Sequence, residues 1–248
     1  GCLEVVNMPL LKALAAVLPA EKLANYFSPK MGELFFEELA REQSPGELSV
    51  GDLFATLASR LPLAVLPTFF TPQLVEKLVT EVSSSSNCNK ALGWLALRCP
   101  EPSLMHSACE GICALIREGS RSSEVWHYIN PEIAQFLSTE LIKGGLRGDC
   151  CASALESLFQ HLSVGERANY FTPEIIKRVI ARIVEFVPSE SADERECTVE
   201  QRAALYHQRV AIGQCARIVS ELLWHLSEEL VIDCFTAEAM ACFVAHAK

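Results

Sequence analysis

No Cys-x-x-Cys pair occurs in the 248 residues, although eleven cysteines are present. Zinc ribbons and thioredoxin-like redox centres therefore have no place to form by their usual spacing. Long apolar stretches are missing too, since charges interrupt each one before it is long enough to span a bilayer. No secretory leader pattern opens the chain and no initiator Met stands first, so the expectation is a mature fragment or an excised part of a longer protein. Gly144-Gly145-Leu146-Arg147-Gly148 has neither the lysine nor the strand-to-helix context of a phosphate cradle, and reads as a helix end and turn. Glycine-framed nucleophiles and oxyanion-type loops are absent as well, although His127, His161, His207, His225 and His246 are scattered through the chain. No catalytic residue, cofactor, metal or small-molecule substrate is expected.

Basic charge is scarce. Lys and Arg number 21 against 31 Asp and Glu, a net charge of −10. That surplus disfavours long-range attraction to phosphate polymers or anionic membranes. Half the residues are hydrophobic, which supplies a large core and excludes a disordered chain. So many unpaired thiols point to an intracellular, reducing compartment, cytoplasmic or mitochondrial matrix.

What is present is a phrase that recurs five times. It reads Tyr26-Phe27-Ser28-Pro29-Lys30, Phe69-Phe70-Thr71-Pro72-Gln73, Tyr128-Ile129-Asn130-Pro131-Glu132, Tyr170-Phe171-Thr172-Pro173-Glu174 and Cys234-Phe235-Thr236-Ala237-Glu238. Apolar residues keep a fixed register around it. Fifteen positions upstream stand Leu11, Phe54, Cys113, Leu155 and Val219, and nine downstream Phe35, Leu78, Leu137, Val179 and Phe243. Such a repeat decides architecture before any single residue is weighed.

Spacings of three and four among the upstream residues mark an amphipathic helix, expected near Pro9–Leu18, Ser49–Leu61, Ser103–Arg117, Asp149–Leu162 and a longer Thr198–Leu226. Ser49 and Asp149 are expected N-caps. A short turn or one-turn helix follows, as at Pro19–Asn25, and the phrase then starts a second helix. Ser28, Thr71, Asn130, Thr172 or Thr236 offers an oxygen to an orphan amide, and proline fits the first helical position. Glu132, Glu174 and Glu238 complement the positive helix end.

The phrases begin at 26, 69, 128, 170 and 234, giving spacings of 43, 59, 42 and 64. Each long gap leaves room for an extra or elongated helix, at Asn89–Arg98 and Glu200–Gln214. The expected fold is all-α: a right-handed, armadillo- or HEAT-like α-solenoid of about five helix-turn-helix repeats. Its units are approximately 8–41, 49–83, 103–143, 149–187 and 198–248 of one domain spanning 1–248, with a possible boundary near Pro188–Glu196.

Phe70-Thr71-Pro72-Gln73-Leu74 and Phe171-Thr172-Pro173-Glu174-Ile175, each opening a helix in a pair of roughly forty residues, resemble the heptatricopeptide and FAST-kinase-like repeats of organellar proteins. That resemblance implies organellar RNA processing or translation, often with a C-terminal RAP domain. Three features depart from it: Val179-Ile180-Ala181-Arg182-Ile183 stands where Ala-Leu-Ala-Lys-Leu is frequent, no RAP domain is present, and the surface is acidic. Generic armadillo or HEAT packing describes the same pattern.

His106, Cys109 and Cys113 fall at i, i+3 and i+7 and could ligate zinc or copper with a fourth ligand. Cys109, Cys151 and Cys215, however, all precede their phrase by nineteen positions, which marks a small buried packing slot. Cys150 is left as the exposed thiol of its vicinal pair. Binding surface is the better expectation. Glu38, Glu81 and Glu140 share one repeat position and form an acidic row suited to a basic peptide, with Arg182 and His246 continuing it. Lys177, Arg178, Arg182, Arg202, Arg209 and Arg217 are the basic concentration, with Tyr206 the aromatic beside it that RNA would need. Ala237–Ala247, nearly uncharged, is expected to pack on missing residues or a partner. The function expected is a non-enzymatic scaffold that binds a protein partner in a larger assembly. The alternative is an organellar RNA-binding repeat protein in RNA processing or ribosome assembly, and a remote third is a thiol- or metal-dependent enzyme.

Overall fold

Proline starts a helix at each of the four phrases that contain one. In the computed structural model, which describes residues 8–39, 50–81, 86–119, 124–185, 198–223, 228–236 and 239, those helices begin at Pro29, Pro72, Pro131 and Pro173. The cap chemistry is local and visible. Thr71 Oγ1 accepts from the Leu74 amide at 3.3 Å, Asn130 Oδ1 from Ile133 at 3.0 Å, and Thr236 Oγ1 from Ala239 at 3.2 Å. At Ser28 and Thr172 the backbone carbonyl closes the first turn instead, accepting from Met31 and Ile176 at 3.0 Å each.

The described residues form helices and no strands. In order these are α1 (Met8–Val17), α2 (Ala20–Tyr26), α3 (Pro29–Leu39), α4 (Val50–Arg60), α5 (Leu66–Phe69), α6 (Pro72–Glu81), α7 (Ser86–Arg98) and α8 (Pro102–Ser107). Then come α9 (Cys109–Gly119), a 3-10 turn (Val125–His127), α10 (Pro131–Lys143), α11 (Gly145–His161), α12 (Val164–Tyr170), α13 (Pro173–Glu185), α14 (Val199–Leu223) and α15 (Glu228–Cys234). A helix, a short helical turn and a proline-led helix thus follow one another four times, and α14 and α15 begin the sequence again. Among the described residues no helix is long and apolar enough to cross a membrane.

Two expectations change. Ser103–Arg117 is broken at Ala108 into α8 and α9. The helix expected from Asp149 starts four residues earlier, at Gly145, because Gly144 and Gly145 both take positive φ (72° and 67°) and turn the chain straight out of α10. Asp149 is therefore inside α11 and caps nothing. The first long gap holds α7, an added helix, and the second is met by lengthening α14 to 25 residues. Ser49, Pro188–Glu196, and residues 237–238 and 240–247 lie outside the described residues.

The chain divides into two compact units, Gly1–Leu115 and Ile116–Lys248, with the division inside α9. In the first unit α1 packs on α4 and α4 on α7. Arginines at helix ends hold these contacts. Arg60 Nη1 and Nη2 donate to the carbonyls of Ala15 (2.6 Å) and Leu18 (3.1 Å), and Arg98 repeats this on Ala58 (2.6 Å) and Leu61 (2.7 Å). Each guanidinium satisfies orphan carbonyls at the negative end of the helix before it. Because both donors sit at the end of their own helix, α1, α4 and α7 run parallel. Phe54, Phe69 and Phe70 fill the core beneath, with centroids 4.9 Å apart for the Phe69–Phe70 pair. Beyond the break at Ala108, Gly111 meets α7 backbone to backbone: a Cβ there would lie 1.7 Å from the Asn89 carbonyl oxygen, and one on Gly93 would lie 2.5 Å from the Gly111 carbonyl carbon.

In the second unit α10 packs on α11 and α13, and α11 on α14. Ser153 meets Gln214 and Glu156 meets Arg217, so α11 and α14 run parallel in one register. Tyr170 Oη donates to the Ile129 carbonyl (2.9 Å), tying one phrase to the one before it. Arg167 occupies a slot filled by Leu23, Leu66 and Val125 elsewhere, and lays its guanidinium 4.0 Å over the Phe159 ring.

Candidate functional site

A groove opens in the first unit where α5 to α8 come together. Its floor follows from the core: Leu66, Phe70 and Leu95 are buried there. One wall is α6, which turns Pro72, Val75, Glu76 and Val79 inward at i, i+3, i+4 and i+7, a single helical face. The opposite wall is α8, with Leu104 between the small residues Ser103 and Ser107. The cavity measures about 480 Å³.

Charge is confined to the mouth. Glu76 stands on the α6 wall and Glu101 precedes α8; both are exposed, and no basic side chain lines the groove among the described residues. Cys99, half-buried, brings a thiol whose pKa burial pushes up against the opposing pull of Arg98, so it is neutral at neutral pH.

Glu140 and Arg182, expected on a solvent-facing row, are 2% and 7% exposed. The tight glycine turn after α10 and the packing of α11 on α10 explain the burial of Glu140. There Glu140 pairs with Lys143 and lies 3.8 Å from Arg147, while Arg182 lies 3.4 Å from Asp149. The Glu38 and Glu81 side chains lie outside the described residues, as does His246. Lys177 is exposed and pairs with Asp233 (2.7 Å), which raises its pKa through that hydrogen bond. Arg178 is bound by Glu174 (2.8 Å), Ser138 (3.1 Å) and Thr139 (2.9 Å). Arg202 and Arg209 are exposed on α14, with Tyr206 also exposed. Arg217 pairs with Glu156 at 2.6 Å.

The thiol-imidazole set does not share one helix. His106 is exposed on α8, whereas Cys109 and Cys113 are buried on α9. Cys109, Cys151 and Cys215 are all fully buried, as the shared packing slot requires, and Cys150 is half-buried. The thiol of Cys215 is pushed up to about 12 by burial, with Arg182 opposing and Asp149 and Glu156 adding to the rise.

Sequence reasoning missed the groove. Its signal is present: Leu74-Val75 and Leu78-Val79 double each core position, so α6 has a second apolar stripe beside the first. Leu74 and Leu78 are in the core, and Val75 and Val79 are half-buried at the groove. No protein-family model matches the chain, and comparisons with curated proteins and with solved structures returned no match.

Proposed function

We propose that the chain is a non-enzymatic helical-repeat scaffold, an α-solenoid whose first unit presents its groove to a protein partner. The observation that carries this is the open apolar groove between α6 and α8, walled by helices already fixed in place. Arg98 pins the end of α7, which supplies the floor residue Leu95, to α4. A preformed receptor loses little conformational freedom on binding. Parallel neighbours within each unit, joined at matching positions, support the repeat architecture. The eight cysteines among the described residues that form no disulfide support a reducing compartment.

RNA binding is the weaker reading. Of the six cations on which it rests, Lys177, Arg178, Arg182 and Arg217 each face a carboxylate. The purified chain is to be tested against single-stranded RNA at low and moderate salt, and in parallel as bait in an extract of its native cell. The scaffold predicts no RNA shift and a saturable protein partner. A retarded RNA complex that weakens steeply with salt would reverse the ranking.

A further inference from the structure

We infer that the groove of the first unit is a receptor for a cationic amphipathic α-helix, one with an apolar stripe flanked on both sides by Lys or Arg. The inference rests on the scaffold reading and names its partner. Shape is the first argument. Both walls are helices, each presenting one face, so a third helix laid between them completes a packed layer of the kind seen when amphipathic helices enter grooves. The apolar residues of α6 at the groove, Pro72, Val75 and Val79, span i to i+7, two turns, the length of the i, i+3, i+4 and i+7 stripe of an amphipathic ligand helix.

Residue size is the second argument. Ser103 and Ser107 sit one turn apart on α8, exposed at the groove. Short side chains there let a ligand backbone approach, while Leu104 meets its apolar stripe. Charge is the third. One carboxylate stands on each side, Glu76 by α6 and Glu101 at the start of α8, with no lining cation to neutralise them. A ligand with acidic flanks would meet like charge at both edges, and a neutral apolar molecule would leave both carboxylates unused. Cationic flanks alone satisfy both edges.

The test uses the whole chain and a fluorescent helical peptide of about 14 residues, with leucines at i, i+3, i+4, i+7 and i+11 and lysines elsewhere. Anisotropy titration should give saturable binding. The exposed pair Glu76→Lys with Glu101→Lys should weaken it by about tenfold or more, and a peptide with glutamates in place of the lysines should bind that variant better than the parent chain. Val79→Ser, which removes apolar contact without adding charge, should weaken both peptides. Circular dichroism establishes that each variant is folded, and the rim pair carries the test if Val79→Ser is not. No saturable binding, equal binding to parent and rim variant, or equal binding of both peptides to the parent chain would overturn the inference. A separate arm compares the proteins captured by the parent and by the rim variant. If the same saturable partner is retained by both, the groove assignment falls and the scaffold stands; if neither retains any, the scaffold itself falls.

Discussion

Cys215 shows how a residue's surroundings set its chemistry. It lies fully buried on α14, near Arg182, Asp149 and Glu156, and burial outweighs the charges. Its thiol titrates at about 12 in the folded chain against an ordinary 9.0. Between those values the unfolded state releases a proton that the folded state keeps. The stabilisation is thus complete below pH 9.0 and is lost as pH rises towards 12. Stability measured by urea denaturation should fall across that window, and Cys215→Ala should flatten the fall. In the native chain at pH 8, iodoacetamide should label half-buried Cys150 before Cys215, as read by peptide mass mapping. The packing slot was legible in sequence, because three cysteines recur at one offset. The ion pair near it was not: Arg182 looks like an ordinary surface charge until α11 is seen to start at Gly145, and sequence period alone does not say which helix covers which face.

Helix starts were the most legible feature at the level of elements. Proline, a capping oxygen and an acid act within one turn, so their meaning survives without knowledge of tertiary contacts. The end of a helix is different. Arg60 and Arg98 finish helices roughly forty residues away, and nothing local marks them as caps. Arg98→Ala should cost about 1.5–3 kcal/mol in chemical denaturation, the range for hydrogen bonds to charged groups, and Arg98→Lys should restore only part of it because one ammonium does not fork. The break at Ala108 was equally hidden, since both sides favour helix. Its neighbour Gly111 carries a stronger prediction. With 1.7 Å between a new Cβ and the Asn89 oxygen, Gly111→Ala requires the backbones of α7 and α9 to separate. A loss on the order of 3 kcal/mol is expected, seen as a lowered melting temperature. Gly213, with open space around it, should tolerate the same change except for a gain in helix propensity.

For the molecule as a whole, net charge matters more than any one ion pair. At −10 the chain repels polyanions and draws cations from a distance. Association of the lysine-rich peptide should therefore slow as salt rises from about 0.01 M to 0.15 M, where screening shortens from roughly 30 Å to 8 Å. Its dissociation should change far less, because the apolar stripe governs release. Stopped-flow anisotropy separates the two rates. Overall composition announced this much. The all-α class also followed from composition and period, whereas the groove needed α6 and α8 to be placed opposite one another.

The arginine contacts of the first unit have a consequence for synthesis. Residues 15 and 18 emerge from the ribosome 45 and 42 residues ahead of the guanidinium that completes their helix, and the end of α4 likewise waits for position 98. α1 and α4 are each finished by a later helix. A chain stalled before Arg60 would hold α1 with bare carbonyls, whereas one released just after it would hold α1 complete.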